Sequence, residues 1–405
     1  MTRHIRMRAA AAGGLLLAAA LPALPAVAAD GDCVPAYTLT GSATAAANTR
    51  HVVTADLDGD GALDVVAANL DADSVTVLPG DGDGTFAAGS TYAVGTRPYQ
   101  TVVADFDGDG YPDLATADFG GAQVSVLLNS GDGSFGSASA IDVSGSPRAL
   151  ATGDLNGDGT ADLVVAEQQT STVRVLLGDG DGTFTDAGQT ATGSQPHGVV
   201  VGDFDGDGDA DVATASVGSA GVSVLPGDGT GALGAATSYA TTSRLYSLAE
   251  GDFDGDGSLD LAAVSNGANT LDVLLGKGDG TFAAATTYGT PALPVAVGAA
   301  DLDGDGTTDL LVSSLKGNSV TPYTGATTGT LTQLTDVPAT GAYDATAADL
   351  DGDGVRDLVV ADSTGGQVDV FRGPASDRNL TNGCRRHFHC RRQPPREAGL
   401  ATSSR

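Results

Sequence analysis

Short apolar runs alternate with glycine- and aspartate-rich breaks along most of this chain. The stretch 98–145, PYQTVVADFDGDGYPDLATADFGGAQVSVLLNSGDGSFGSASAIDVSG, shows the pattern. TVVA enters an acidic loop and DLATA leaves it; after a Gly-containing connector, QVSVLL alternates apolar with polar, GDGSF turns, and SAIDVS forms a weaker fourth run. β-Branched and Ala-rich runs of this length, bounded by Gly, Asp and Asn, predict four strands. No helical segment of about 10 residues fits between them.

The same pattern returns along the chain. The acidic loop begins at Asp56, Asp105, Asp154, Asp203, Asp252, Asp301 and Asp349, five steps of 49 residues and one of 48. Four strands per repeat at this period predict propeller blades. A solenoid would need shorter units or helices, and separate domains of this size could hardly build a core each. The expected fold is therefore all-β, a seven-bladed β-propeller of four-stranded blades. Small residues in the runs entering the loops (ATG, VVG, GAA) fit inner strands crowded around a channel. The seventh repeat has its first three runs, ending at QVDVFRG (367–373), but no recognisable fourth. The run PAYTLTG (35–41), ahead of the first repeat, is expected to supply that strand, so that the N-terminus latches the ring.

Each acidic loop reads D-x-[DN]-x-D-G-x-x-D. Positions 1, 3, 5 and 9 are Asp56, Asp58, Asp60 and Asp64 in the first loop, and Asp105, Asp107, Asp109 and Asp113 in the second. They are Asp154, Asn156, Asp158 and Asp162 in the third, Asp203, Asp205, Asp207 and Asp211 in the fourth, and Asp252, Asp254, Asp256 and Asp260 in the fifth. Asp301, Asp303, Asp305 and Asp309 follow in the sixth, and Asp349, Asp351, Asp353 and Asp357 in the seventh. The glycine at position 6 permits a tight turn, position 7 offers a carbonyl, and position 9 closes a cage of hard oxygen donors, which suits Ca²⁺. Without a cation, four carboxylates so close would repel and some would protonate. An EF-hand would carry Glu at position 12 between helices; position 12 of the first loop is Ala67, between predicted strands. About seven structural Ca²⁺ ions are expected.

A second Gly-Asp element, GDGDGTF at 80–86 and 178–184 and GKGDGTF at 276–282, decays to GDGTGAL and GATTGTL, losing its aspartates. It is expected to be a hairpin turn that buries Phe86, Phe135, Phe184 or Phe282, rather than a metal site.

Charge then separates three regions. Residues 1–29 hold three arginines, an apolar run broken by Pro22 and Pro25, and small residues at A-x-A spacing, which predicts a cleaved secretory signal and a secreted protein without a transmembrane anchor. Residues 374–405 hold seven arginines against two acids and no repeat pattern, and are expected to be a disordered basic tail. Residues 30–373 keep 9 of the 19 basic residues and 49 of the 51 acidic ones, a net charge of −40. Such a body excludes nucleic acid and anionic membranes as partners. Its acids are almost all aspartate, with Glu167 and Glu250 the exceptions, and a preference for the short acid reflects loop geometry.

With the period near constant, function must lie on the loops or in the channel. The connectors opposite the acidic loops read NTRH, TRPY, SPRA, QPHG, SRLY, ALPV and GAYD. They hold Arg50, Arg97, Arg148 and Arg244, with His51, His197, Tyr99, Tyr246 and Tyr343. A ligand face formed by Arg50, Arg97, Tyr99, Arg148, His197, Arg244, Tyr246 and Tyr343 would take an acidic or hydroxyl-rich ligand; the competing reading has the arginines balancing nearby aspartates. Catalytic constellations are thin: the body has two histidines and no G-x-S-x-G, and Glu250 is the one unusual acid near the channel. Cys33 with Cys384 could staple the ring, leaving Cys390 over; the sequence does not decide the pairing.

At the acidic loops, 56–64, 105–113, 154–162, 203–211, 252–260, 301–309 and 349–357, and at the turn VLLGDGDGTF (175–184), the sequence resembles the FG-GAP and VCBS repeat family, which includes the propellers of integrin α-subunits. The resemblance covers about 340 residues and implies the propeller and its calcium. The family's GAP element is missing, with DLVVAEQ (162–168) and DVATASV (211–217) in its place, so integrin-like partnering is not implied. The expected function is a secreted, calcium-stabilised, non-catalytic binding or adhesion scaffold, monomeric, for an extracellular glycan, cell-wall polymer or protein. The alternative is a polysaccharide-directed lyase or hydrolase, or its carbohydrate-binding module.

Overall fold

Every regular element in the computed structural model, which describes residues 37–373, is a β-strand, and all pairing is antiparallel. The first blade runs outward from the inner strand Thr49–Ala55 through Asp64–Asn69 and Ser74–Leu78 to Ser90–Ala93. Six sheets repeat this order within one stretch of chain, and the seven inner strands touch in a closed circle that returns to the first. The fold is a seven-bladed propeller.

Burial follows position in the blade. The second strand of every blade, such as Asp64–Asn69 or Asp309–Ser314, is buried along its whole length. Neighbouring blades cover both of its faces, so these runs are near-continuously apolar and do not alternate. The outer strands are mostly exposed, which explains their faint sequence signal. The core is divided into clusters between successive blades; one packs Val200, Phe204 and Val224 against Leu245, Leu261 and Phe282.

The ring closes where the sequence anticipates, with a shift of register. The closing strand is Thr38–Thr44, paired with Gln367–Arg372 from Thr38↔Arg372 to Thr44↔Gln367. It lies three residues beyond the expected 35–41 because it is almost wholly exposed and has no apolar face to fix its register. Backbone pairing, the Ser42–Asp369 hydrogen bond of 2.6 Å and the apolar contact of Ala43 and Ala45 with the first and seventh blades place it instead. In the sixth blade the outer strand is split into Thr332–Gln333 and Val337–Pro338, opposite Pro322, which has no N–H for the ladder.

The signal (1–29), the basic tail (374–405) and Cys33, Cys384 and Cys390 lie outside the described residues. Among the described residues no helix is long and apolar enough to cross a membrane.

Candidate functional site

Each acidic loop joins an inner strand to the buried second strand and is built largely from its own backbone amides. In the first loop Asp56 accepts N–H groups from Gly59 at 2.8 Å and Gly61 at 3.0 Å, Asp58 accepts from Asp60, and Asp60 accepts from Ala62. Gly61 sits at φ 90°, where a side chain would be strained. Position 9 ties the loop to the blade: one Asp64 oxygen accepts the Leu57 N–H and the other accepts the Gly80 N–H, both at 2.8 Å. All seven blades repeat this bridge to a residue sixteen positions on. The residue at position 2, always Leu or Phe, is buried in the inter-blade core. Sequence reasoning passed over that anchor, although its signal, an apolar residue between two aspartates in every loop, is plain.

Positions 1, 3 and 9 converge. Carboxylate oxygens of Asp56, Asp58 and Asp64 lie within 4.8 Å of one another, as do those of Asp105, Asp107 and Asp113, of Asp203, Asp205 and Asp211, of Asp252, Asp254 and Asp260, and of Asp301, Asp303 and Asp309. The position 5 carboxylates stand outside these groups of three. Burial pushes Asp309 up to about 7, and Asp113, Asp260 and Asp357 up to about 6, against the pull of the amides they accept. Carboxylates crowded this closely must share protons or a cation. The donor set, all hard oxygen with a turn pre-shaped by its own amides, fits a divalent ion of the calcium type.

The second Gly-Asp elements are hairpin turns. Isolated bridges join Gly80 to Phe86, Asn129 to Phe135 and Gly276 to Phe282, and Asp83 accepts from Thr85. Phe135 and Phe282 are buried, and Phe86 and Phe184 half-buried.

The other end of each inner strand lies roughly 20 Å away, six residues at about 3.4 Å per residue. Its second residue is Arg50, Tyr99, Arg148, His197, Tyr246, Val295 or Tyr343, one per blade. Pairing with the second strand skips a step at this residue in every blade, a β-bulge. Bulges re-aim side chains, and here all seven line one cavity of about 120 Å³. Six of the eight expected ligand-face residues thus come together. Arg97 and Arg244 do not join them. Each occupies the exposed turn before the strand, at φ 57° and 63°.

Within the cavity, the Arg148 guanidinium carbon is 3.0 Å from the Tyr99 ring centroid, and its Nε donates to His197 Nδ1 at 3.1 Å. Arg50 lies 4.1 Å from the Tyr343 centroid, and its Nε is buried without a hydrogen-bond partner. The Tyr99 and Tyr343 hydroxyls are 3.2 Å apart, and the His197 and Tyr246 rings 4.4 Å. Burial, then the charges of Arg148 and Arg244, push His197 down to about 2, so its imidazole is neutral and can accept from Arg148. Arg148 is only 5% exposed. A cation–π contact contributes about 0.5–2 kcal/mol, whereas removing a cation from water costs several kcal/mol, so the rings alone do not offset its burial. Glu250 stands apart from this cavity, with its carboxyl pushed up by burial.

The FG-GAP-like repeat pattern matches residues 56–116, 105–165, 154–214, 203–263 and 252–312, more than half of the chain. A search of curated proteins found no match. Among solved structures, BBS1N in complex with ARL6DN aligns at 15% identity with a TM-score of 0.62, covering 85% of this chain and 98% of that one. An Agrocybe aegerita lectin that recognises non-reducing terminal N-acetylglucosamine aligns at 21% identity and 0.53, covering 79% and 87%. A putative 6-phosphogluconolactonase from Bacteroides fragilis aligns at 17% identity and 0.59, covering 73% and 85%. At these identities the likeness is one of fold.

Proposed function

Because this chain belongs to the FG-GAP-like repeat family, we propose that it is a secreted, calcium-braced propeller that acts as a non-catalytic binding scaffold. On this reading residues 1–29 are a removed signal, 30–373 the propeller and 374–405 a basic extension. The observation that carries it is the division of labour along each inner strand. One end enters an acidic loop, with convergent oxygens in at least five blades, and the other presents a bulged residue to a shared cavity, an Arg, Tyr or His in every blade but the sixth, which presents Val295. Calcium supplies the positive charge that lets each loop's carboxylates stay ionised together. The chain's own part is to hold those oxygens in register through position 9 and to keep the opposite face rigid for a ligand. Two of the aligned structures are of proteins in complex with a protein or in recognition of a glycan, and the ligand class proposed here is likewise an extracellular glycan, cell-wall polymer or protein.

The test is capture of the purified full chain on immobilised glycans, cell-wall polymers and matrix proteins, in about 1 mM Ca²⁺ and after chelation. A specific interaction lost on chelation is expected. A folded, calcium-loaded protein that captures nothing and turns over a polysaccharide would replace the scaffold with an enzyme.

A further inference from the structure

We propose that the axial cavity is an oxyanion site, in which Arg50 and Arg148, with the hydroxyls of Tyr99, Tyr246 and Tyr343 and the free N–H of His197, take one carboxylate, sulfate or phosphate group carried on a larger ligand. This deepens the scaffold reading and rests on it for the larger ligand alone.

The contrast among the arginines leads to it. Arg174 pairs with Glu167 at 2.9 Å and with Asp186, and Arg372 pairs with Asp351 at 3.0 Å. The exposed Arg97, Arg244 and Arg356 make no ion pair with a described residue and are solvated by water; of the four arginines that are half-buried or buried, Arg174 and Arg372 have a carboxylate partner. Among the described residues none lies within ion-pair distance of Arg50 or Arg148. The cavity's one carboxylate, Asp344, is occupied: it accepts the Val52 N–H at 3.1 Å and lies 3.6 Å from His51. Arg148 is more than nine-tenths buried, its Nε engages a neutral ring, and the buried Nε of Arg50 engages nothing in the protein. Two guanidiniums have therefore been brought by seven bulged strands into a space whose one carboxylate is engaged elsewhere. A planar fork of donors is matched by carboxylate, sulfate or phosphate oxygens.

Size narrows the class. About 120 Å³ holds a few waters, each taking about 30 Å³ in the liquid, and hence one small oxyanion. A whole drug-sized ligand needs roughly 300 Å³ or more, so the rest of the ligand must lie outside on the face. The body's net charge, −40 before any calcium binds, opposes anions generally, so uptake depends on the donors gathered in this cavity.

The experiment is calorimetric titration of the calcium-loaded full chain with glucuronate, sulfate and methyl phosphate at constant ionic strength, using chloride as the control. Saturable one-to-one binding of at least one of the three is expected, weakened about tenfold or more in Arg50→Gln and in Tyr99→Phe, since charge-assisted and hydroxyl donors are lost. Unchanged calcium-dependent melting shows that both variants are folded; Arg148→Gln repeats the test at the buried position. The anion preferred tells whether the source is a uronic-acid, sulfated or phosphorylated ligand. No saturable uptake of any of them by the wild type, or uptake indifferent to both variants, overturns the proposal. Anion binding with no polymer captured would defeat the scaffold and leave this site standing; polymer capture without anion binding would do the reverse.

Discussion

Asp309 and Gly325, sixteen residues apart, are joined by a 2.7 Å hydrogen bond in which the carboxylate accepts the backbone N–H; its other oxygen accepts the Leu302 N–H at 2.8 Å. One side chain thus holds the start of the acidic loop, the second strand and the turn after the third strand in one register.

Replacing it separates that bracing role from metal binding. Asp309→Ala strands two N–H groups and is expected to cost roughly 2–4 kcal/mol, read as a lower midpoint in urea. Asp309→Asn keeps an acceptor but loses the charge, and should bind one calcium fewer by titration with a smaller loss of stability. Equal loss in the two variants would mean that the charge, and not the bracing, dominates.

Protonation gives a second test. Asp113, Asp118, Asp260 and Asp357 are raised to about 6 and Asp309 to about 7, in each case mainly by burial. The folded protein therefore holds more protons than the unfolded chain between pH ~4 and ~7. Stability from these groups is fully present below pH ~4 and is lost as pH rises through ~6–7. Metal-free protein should melt at progressively lower temperature from pH 4.5 to 7.5. On the proposed assignment, bound calcium would hold the loop carboxylates ionised, so the gap between melting temperatures with and without calcium should widen over that window. His197 and Asp118 titrate alike in both samples and drop out of the difference. A constant gap would contradict the assignment of these loops to metal.

Chelation measures the number of sites. With Kd of about 0.1–1 mM, typical of extracellular calcium modules, each site adds roughly 0.4–1.4 kcal/mol at about 1 mM Ca²⁺. Melting temperature should climb with calcium well beyond saturation of any single site, and magnesium, which demands a tighter octahedron, should restore little. Full stability in a chelator would remove calcium from the account.

Two glycines form a matched pair. A Cβ on Gly276 would run into the backbone carbonyl of Leu259, whereas one on Gly41, in the closing strand, meets nothing within 4 Å. Gly276→Ala should destabilise by more than about 1 kcal/mol, and Gly41→Ala should be neutral or stabilise by up to about 1 kcal/mol. Thermal melting of both variants decides it.

The repeat, the four-strand blade and the acidic loops were legible because each leaves its own spacing: the period of 49, the apolar runs and the alternating aspartates. Membership of the axial ring leaves a spacing too: Arg50, Tyr99, Arg148, His197, Tyr246, Val295 and Tyr343 stand six residues ahead of an acidic loop, Arg97 and Arg244 eight. That the position six ahead turns inward was not legible, because it depends on a bulge. Alternation cannot report a bulge, because the extra residue shifts every later position by one. The closing strand lies three residues beyond its expected place for a related reason: with no apolar face it carries no phase. Leu57, Phe106 and their counterparts show the opposite failing, a regular signal hidden beside a louder one.

The closing strand also orders events in time. Thr38–Thr44 leaves the ribosome before any blade, but its partner Gln367–Arg372 is made after the other strands. The ring can shut only when the last of its strands has been made, and joining ends so far apart carries the entropic cost of a very long loop. Until then the two blades flanking the seam lack their shared core of Val52, Val65, Val359 and Val370. Translation that stops before Gln367–Arg372 yields an open arc whose end blades leave apolar faces uncovered, so closure doubles as a check that every blade has been delivered.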